Sequence, residues 1–141
     1  MSLQAVRNKI YTTLTSDSAY LVLLGSPTAK PYRTYYLTPP ATPSFPFVVF
    51  WLRPQTFMQR YPRELLVSRA VLTVNAWDHS TSAAPTHEAI MQRVMELLHQ
   101  VPVVTGFRCI ISNEPQELRD EEMNAFGLTS AFELSYRRSL I

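Results

Sequence analysis

The sequence is poor in cysteine and glycine, two residue types on which many compact functional sites depend. Its single cysteine, Cys109, excludes an internal disulfide framework and suits a reducing compartment. Its three glycines, Gly25, Gly106 and Gly127, are isolated from one another, so the sequence contains no phosphate-binding loop, dinucleotide-binding fingerprint or nucleophile elbow. No residue pattern indicates an enzyme, and we expect a protein without catalytic residues.

Long apolar runs and a secretion signal are also missing. No run approaches the roughly 20 apolar residues that span a bilayer, and Met1 to Gln4 lack the charged and then apolar order of a signal peptide. We therefore expect a protein that is made in the cytosol and has no membrane partner. The formal net charge of +2 is too small to indicate a dedicated nucleic-acid-binding protein.

Proline is abundant, with eleven residues that lie mostly between Pro27 and Pro62. These prolines predict a stiff connection over residues 26–46, in which only a brief strand around Tyr32–Leu37 is expected. The length of 141 residues suits a single domain that spans the whole chain.

Two helices are predicted before the connection, over residues 3–24. The second, Ala19–Leu24, is expected to be short and buried, with Ser16 or Asp17 as its N-cap and Gly25 after its end. The first is amphipathic, because four apolar residues fall within one helical arc: Leu3, Val6, Ile10 and Leu14.

The stretch Leu65–His99 is the centre of the predicted fold. It begins with a long strand whose alternate residues are apolar, namely Leu66, Ala70, Leu72, Val74 and Ala76. A helix is expected to follow, from an N-cap at Ser82, with Pro85 in the first turn, to near Gln100. Its apolar stripe consists of Ile90, Met91, Val94, Leu97 and Leu98.

The segment Phe45–Leu52 is apolar at nearly every position, which is typical of a strand that is buried on both faces. The chain's own helices or a neighbouring subunit would have to cover the second face.

The remaining residues predict two further strands, Phe107–Ser112 and Leu128–Tyr136, separated by a loop or short helical excursion over Asn113–Gly127. The order of elements predicts an α+β fold, with a largely antiparallel sheet of four to five strands and two or three helices packed on it. The sheet and its helix form a core over residues 45–139.

Histidine and cysteine do not form a pattern that indicates a metal site. His87 and His99 are twelve residues apart on one predicted helix, about 120° from each other. We interpret His87 as a partly buried helix residue, His79 as a turn residue and Cys109 as a small core residue. We expect no metal and no cofactor.

Acidic residues cluster in the predicted loop after Asn113, where the candidate interaction residues are Glu117, Asp120, Glu121 and Glu122. A divalent cation is one possible ligand, but the spacing lacks the alternating oxygens and central glycine of a calcium loop. A solvated charged loop is the better interpretation.

A projecting hairpin arm is predicted between the two long strands, over Arg53–Glu64. Its candidate interaction residues are Arg53, Phe57, Arg60, Tyr61 and Arg63. Arginine and aromatic residues of this kind occur in protein interfaces and in nucleic-acid-binding surfaces, and ordinary solubilising charge is the third interpretation. Because the arm and the acidic loop carry opposite charge, head-to-tail pairing of identical subunits in a closed ring is a further hypothesis.

The order of these segments resembles the small tail terminator or tail completion proteins of long-tailed phages and prophages. The likeness covers nearly the whole chain and is carried by the first helix, Leu21–Gly25, Phe45–Phe50, Val71–Trp77 with the Ile90–Leu98 helix, Pro102–Ile111 and the last strand.

The resemblance implies a structural protein of the virion tail that is made in the host cytoplasm. Such a protein would assemble as a ring, a hexamer in this family, on the finished tail tube, stop its polymerisation and present a surface to the head–tail connector protein. DNA would only pass through the lumen. The alternatives are a head–tail connector or stopper subunit, a small nucleic-acid-binding module and an uncharacterised enzyme.

Overall fold

The computed structural model describes residues 3–61, 65–79, 86–99, 107–112, 114–122 and 124–139. Within these ranges only the backbone is described for 55–61, 65–68, 107–108 and 137–139. The elements in chain order are α1 (Leu3–Thr15), α2 (Ser18–Leu23), β1 (Thr34–Tyr36), β2 (Phe47–Tyr61), β3 (Leu65–His79), α3 (His87–Leu98), β4 (Phe107–Ile111), β5 (Gln116–Asp120) and β6 (Ala125–Ser139). None of the described helices has the length and apolar composition that crossing a bilayer requires.

The described strands form one mixed sheet in the order β1-β2-β3-β6-β4, and β5 pairs with β6 beyond the end of β4. Only β1 pairs in parallel, with β2; the other described pairings are antiparallel. This architecture confirms the predicted α+β class with a largely antiparallel sheet.

One face of the sheet packs against the helices and forms the core. The predicted alternation in β3 is confirmed at Ala70, Leu72, Val74 and Ala76, all of which are buried. The helices contribute the residues expected from their periodicity, since the following are also buried: Val6, Ile10 and Leu14 from α1, and Ile90, Met91, Val94 and Leu98 from α3.

The helix ends follow local chemistry only in part. Asp17 is the N-cap of α2, and its Oδ2 accepts a hydrogen bond of 2.8 Å from the backbone N–H of Tyr20. The expectation that α2 is buried is wrong, because Val22 is 64% exposed and only Tyr20 within the helix is buried. A six-residue helix on the surface presents one face to the core.

The predicted N-cap of α3 at Ser82 is wrong, because the helix begins at His87 after Thr86; Ser82, Pro85 and Gln100 lie outside the described residues. The carboxylate of Asp78, at the end of β3, accepts hydrogen bonds from the backbone N–H of Thr86 (2.6 Å) and from its Oγ1 (3.3 Å). A buried acceptor from the preceding strand therefore holds the start of the helix.

The second face of β2 is covered by the chain itself where Phe47 and Val49 lie, since both are buried. Phe47 contacts the rings of Tyr35, at a centroid distance of 6.2 Å, and of Phe45, at 5.1 Å. Of the two predicted covers, helices or a neighbouring subunit, neither is needed at Phe47, because aromatic residues of β1 and of the proline-rich connection lie there.

The prediction for Asn113–Gly127 is wrong. Instead of a loop or short helix, β5 and the start of β6 form an antiparallel hairpin with the pairs Gln116↔Thr129 to Asp120↔Ala125. β6 therefore begins at Ala125, three residues before the predicted start, and the sheet has six described strands instead of four to five. His79, expected in a turn, is the last residue of β3.

Candidate assembly surfaces

The predicted arm is a continuation of the sheet. β2 and β3 remain paired as far as Tyr61↔Leu65, and β6 follows β3 to the same level, where Leu65 pairs with Ser139. The arm is therefore backed by a third strand instead of being a free two-stranded hairpin. Register shifts between Pro54 and Met58, where a proline lacks the N–H that a ladder needs.

Among the arm's candidate interaction residues, Arg53 is exposed. Phe57, Arg60 and Tyr61 lie in β2, where only the backbone is described, and Arg63 lies outside the described residues. The structure thus places Phe57, Arg60 and Tyr61 in the part of β2 that runs to one end of the sheet.

The acidic candidates lie in the β5–β6 hairpin, which we call the acidic hairpin (residues 116–128). Glu117 is exposed on β5, Asp120 is half-buried at its end, and Glu121 and Glu122 are exposed in the turn. The carboxylate of Asp120 accepts a hydrogen bond of 3.0 Å from the backbone N–H of Glu122, which supports the turn. The hairpin thus holds Glu117 on a paired strand and Glu121 and Glu122 in the turn that joins β5 to β6.

The acidic hairpin also carries an exposed aromatic ring and an arginine that packs on it. Phe126 is 36% exposed, and the guanidinium of Arg119 lies 5.5 Å from the centroid of its ring. Glu117 of β5 pairs with Leu128 of β6, whose side chain packs against the core. Two residues further along each strand, Arg119 of β5 pairs with Phe126 of β6. Because alternate residues of a strand share a face, Glu117, Arg119 and Phe126 lie on the helix-covered face of the sheet.

The structure does not bring the arm and the acidic hairpin together within one chain. Asp78 pairs with Phe126 at one end of β3, and Leu65 pairs with Ser139 at the other end. At about 3.3 Å per residue, the two ends are separated by roughly 40 Å. Any contact between the arm and the acidic hairpin must therefore be made between different molecules.

Charge is divided between the two edges of the sheet. Residues 1–63 contain seven of the thirteen Lys and Arg residues but only one of the eleven Asp and Glu residues, Asp17. That carboxylate is already paired with Arg93 of α3 at 2.7 Å. Because α1 and β1 lie at one edge of the sheet and the acidic hairpin lies at the opposite edge, the described structure has a more basic edge and a more acidic edge.

A groove of about 340 Å³ lies along the basic edge between α1 and β1, and no pattern in the sequence indicates it. Its walls include Arg7, Asn8 and Tyr11 of α1 and Tyr35 and Tyr36 of β1. The guanidinium of Arg7 lies 4.8 Å from the centroid of the Tyr36 ring. Tyrosine and arginine are the residue types enriched in protein interfaces; the available signal was that α1 has cations and no acidic residue.

β1 is held firmly against the rest of the molecule. The hydroxyls of Tyr20 and Thr34 form a buried hydrogen bond of 2.8 Å, and burial raises the pKa of the Tyr20 phenol. Arg33 Nη1 donates to the carbonyl oxygens of Leu24 (2.7 Å) and Phe45 (3.1 Å). Arg33 is thus a structural residue. Its hydrogen bonds and that of Thr34 fix β1, which forms one wall of the groove, against the rest of the chain.

His99 and Cys109 have structural roles, in a hydrogen bond and in the core. His99 Nδ1 accepts a hydrogen bond of 3.0 Å from the backbone N–H of Ile111, which joins the end of α3 to β4. Cys109 is buried, as predicted, and burial raises the pKa of its thiol to about 12. Within the described ranges, no three His, Cys, Asp or Glu side chains converge on a point where they would bind a metal ion.

His87, predicted to be partly buried, is half-buried at the start of α3. Its Nδ1 is buried without a hydrogen-bond partner, beside a shallow groove that Glu88 and Glu117 also line.

Compared by sequence, the chain matches no protein-family model and no curated protein. Compared by structure, it is similar to a chain in the solved structure of the virion of a native gene transfer agent particle, with a TM-score of 0.70 and 14% sequence identity. The match covers 92% of this chain and 92% of the other chain. The two chains therefore share a fold over nearly their full lengths.

Proposed function

We propose that this chain is a structural, non-enzymatic protein of a phage-type virion. The observation that carries this proposal is the fold shared with a chain of the gene transfer agent virion, which extends over 92% of both chains. A likeness of this extent leaves less than a tenth of either chain unmatched. The resemblance of the sequence to phage tail terminator proteins, which rests on the order of its segments, is a second and independent support for a virion protein.

The more specific proposal is that the protein caps the finished tail tube as a hexameric ring. The ring would end polymerisation of the tail tube protein and present a docking surface to the head–tail connector protein, while DNA passes through the lumen. The charge distribution supports a ring, because a basic edge and an acidic edge on one subunit favour head-to-tail contacts. Head-to-tail contacts between identical subunits close into a ring when the rotation per subunit permits.

The arm supports a role at the end of a tube. The part of β2 that begins at Arg53 remains paired with β3, which pairs with β6 on its other side, and Arg53 is exposed. A stiff, sheet-based projection keeps its orientation better than an isolated hairpin, which is marginally stable in water. We propose that the arm contacts the neighbouring virion component, with Arg53, Phe57, Arg60, Tyr61 and Arg63 as its interaction residues.

The test uses tail tubes assembled from the tube protein of the same virus, imaged by negative staining with and without this chain. The expected result is a ring of extra density at one tube end and tubes that stop growing. The role of the arm is tested by a variant with Arg60→Glu and Arg63→Glu. It should keep the wild-type melting temperature and bind fewer tube ends. Unaltered tube growth, combined with binding of this chain to isolated connector rings, would favour the alternative of a head–tail connector or stopper subunit.

A further inference from the structure

β1 is an edge strand with two backbone groups that the neighbouring strand does not use. The N–H of Val48 in β2 donates to the carbonyl oxygen of Arg33 at 2.9 Å, so Arg33 directs its backbone toward β2. Because backbone groups alternate in direction along a strand, those of Thr34 and Tyr36 point away from β2. No hydrogen bond between described residues uses the C=O of Thr34 or the N–H of Tyr36. An unpaired strand edge of this kind is a template for a further strand.

The two unused groups have the spacing that a parallel strand requires. One residue opposite Tyr35 would donate its N–H to the carbonyl oxygen of Thr34 and accept from the N–H of Tyr36. The N–H of Thr34 already donates to the carbonyl oxygen of Pro31 at 3.1 Å. The carbonyl oxygen of Tyr36 already accepts from the N–H of Thr38 at 2.9 Å. The edge is therefore set up to bond one residue, opposite Tyr35, in the parallel direction.

The α1–β1 groove lies beside this edge on the helix-covered face of the sheet. Tyr36 pairs with the core residue Phe50, so its side chain lies on that face, and it lines the groove together with Arg7 and Tyr11 of α1. In an added strand, the residues before and after the one opposite Tyr35 would direct their side chains to the same face. Two alternate side chains of the added strand therefore reach the groove.

The groove favours a negatively charged segment. α1 contains two cations, Arg7 and Lys9, and no acidic residue. Arg7 lines the groove, and Lys30 is exposed directly before Pro31, which also lines it. These cations attract a carboxylate of a partner and repel a cation.

Leu37, directly after β1, is exposed in a conformation that leucine rarely adopts. Its φ is +71°, and 59% of its side chain is exposed. The hydrogen bond from Thr38 to Tyr36 closes a γ-turn around it. Arg33 also has a positive φ, but hydrogen bonds of its guanidinium to two carbonyl oxygens stabilise it. Strained residues cluster where ligands bind, and burial of Leu37 by a partner would offset its strain.

We propose that the outer edge of β1 binds an extended acidic segment of a partner protein as an added parallel strand. Alternate side chains of the segment enter the α1–β1 groove, where a carboxylate lies against Arg7, and its apolar side chains pack against Leu37. The backbone hydrogen bonds to Thr34 and Tyr36 fix the register. This site goes beyond the proposed function, since strand addition at β1 requires neither a ring nor a tail tube.

The first experiment titrates the full-length protein into a fluorescein-labelled peptide of eight residues in which glutamate and valine alternate, and follows binding by fluorescence anisotropy. The expected result is saturable binding that is at least about tenfold tighter than that of the peptide with lysine in place of glutamate. Equal or tighter binding of the lysine peptide, or no binding of the glutamate peptide at about 1 mM protein, would overturn the proposal.

Two methylated forms of the glutamate peptide test the strand geometry. With its glutamate side chains in the groove, the peptide places a valine opposite Tyr35, and only the valine N–H groups point toward β1. Methylation of the valine nitrogens should weaken binding at least about tenfold, and methylation of the glutamate nitrogens less than about threefold. Equal losses, or a larger loss in the glutamate series, would overturn strand addition at β1.

Variants of the protein locate the site on its surface. Arg7→Glu should weaken binding of the glutamate peptide about tenfold at low salt. Lys9→Glu makes the same charge change on α1 but about 200° around the helix, away from the groove, and is the matched control. Equal losses in the two variants would contradict binding in the groove.

Leu37→Gly separates a binding role from a structural one, because glycine adopts a positive φ without strain. We expect a melting temperature no lower than that of the wild-type protein and peptide binding that is at least about threefold weaker. A lower melting temperature with unchanged binding would show that Leu37 is a structural residue and would remove it from the site.

The outcomes also distinguish this site from the proposed function. Capped tubes without peptide binding would overturn the β1 site alone, and peptide binding without capped tubes would support the site and count against the proposed function. If the protein by itself forms dimers in which the N–H of Tyr36 is protected from hydrogen exchange, and the peptide does not bind, the edge pairs with a second copy and the acidic segment is excluded.

Discussion

Gly127 lies at a position in β6 that has no room for a side chain. A Cβ atom added there would lie 2.7 Å from the carbonyl oxygen of Ala76 and 2.8 Å from the indole ring of Trp77. Because one of these atoms belongs to the backbone of β3, the clash cannot be relieved by a side-chain rotation. We expect Gly127→Ala to lower the free energy of unfolding by about 1–3 kcal/mol, or the melting temperature by about 3–10 °C, measured by circular dichroism.

Thr129→Ala is the control for this prediction, since it lies two residues further along β6 and adds no atoms. It should cost less than Gly127→Ala. A melting temperature of Gly127→Ala equal to that of the wild-type protein would show that β3 and β6 can separate without loss of stability.

The roles of Asp17 and Gly25 were predictable, because each depends only on neighbouring residues in the chain. Asp17 caps α2 as expected, since a carboxylate just before a helix meets free N–H groups. Gly25 has a φ of +89°, the left-handed conformation expected of the residue after a helix end. By contrast, Gly127 was interpreted as the end of a loop, because the indole and carbonyl that exclude a side chain come from β3, 50 residues earlier.

At the scale of elements, one ion pair joins α2 to α3. Arg93 Nε and Nη2 donate to the two oxygens of Asp17 at 2.8 Å and 2.7 Å, and these hydrogen bonds are the main reason that the pKa of Asp17 lies below its ordinary value of 3.8. A carboxylate whose pKa is lowered in the folded state stabilises the fold above its unfolded pKa and loses that contribution as the pH falls through the folded value.

We therefore expect the difference in unfolding free energy between wild-type protein and Asp17→Asn to be constant near neutral pH. The difference should shrink as the pH is lowered from about 4 through the folded pKa, measured by urea unfolding at a series of pH values. Asparagine keeps an N-cap oxygen and removes only the charge.

The matched variant Asp17→Ala also removes the cap and should cost about 1 kcal/mol more than Asp17→Asn at every pH. A difference between the wild-type protein and Asp17→Asn that stays constant down to pH 2 would show that the ion pair does not contribute to stability.

The elements themselves were predictable where hydrophobic period and length agree, as in α1, β3 and α3. β5 was missed because Gln116–Asp120 contains none of the β-branched and aromatic residues that favour strands, and four of its five residues are polar. It is a strand because β6 extends far enough to offer it an antiparallel partner, which is a tertiary contribution. The groove between α1 and β1 was missed for the same reason, since its walls come from two segments separated by the proline-rich connection.

For the whole molecule, the division of charge between the two edges makes assembly sensitive to salt. Raising the sodium chloride concentration from about 0.1 M to about 1 M shortens the screening length from about 10 Å to about 3 Å. We expect the concentration for half-assembly of the wild-type protein to rise about tenfold, measured by mass photometry or sedimentation.

A double variant with Arg7→Glu and Glu122→Lys should respond to salt like the wild-type protein, because its edges are again of opposite charge. The single variant Arg7→Glu should respond less. Assembly that is stronger at high salt in the wild-type protein would indicate an interface dominated by apolar contacts instead.

The local chemistry of the chain, read from its sequence, was sufficient to predict the α+β class, the amphipathic helices and the alternating central strand. These features depend on hydrophobic period, caps and proline positions, which act over a few residues. Pairing across the sheet decided the rest. It made a hairpin of the segment predicted as an acidic loop, paired β3 with β6 as far as Leu65, and placed the tyrosine-lined groove and the acidic hairpin at opposite edges of the sheet, because strand register joins residues far apart in the chain.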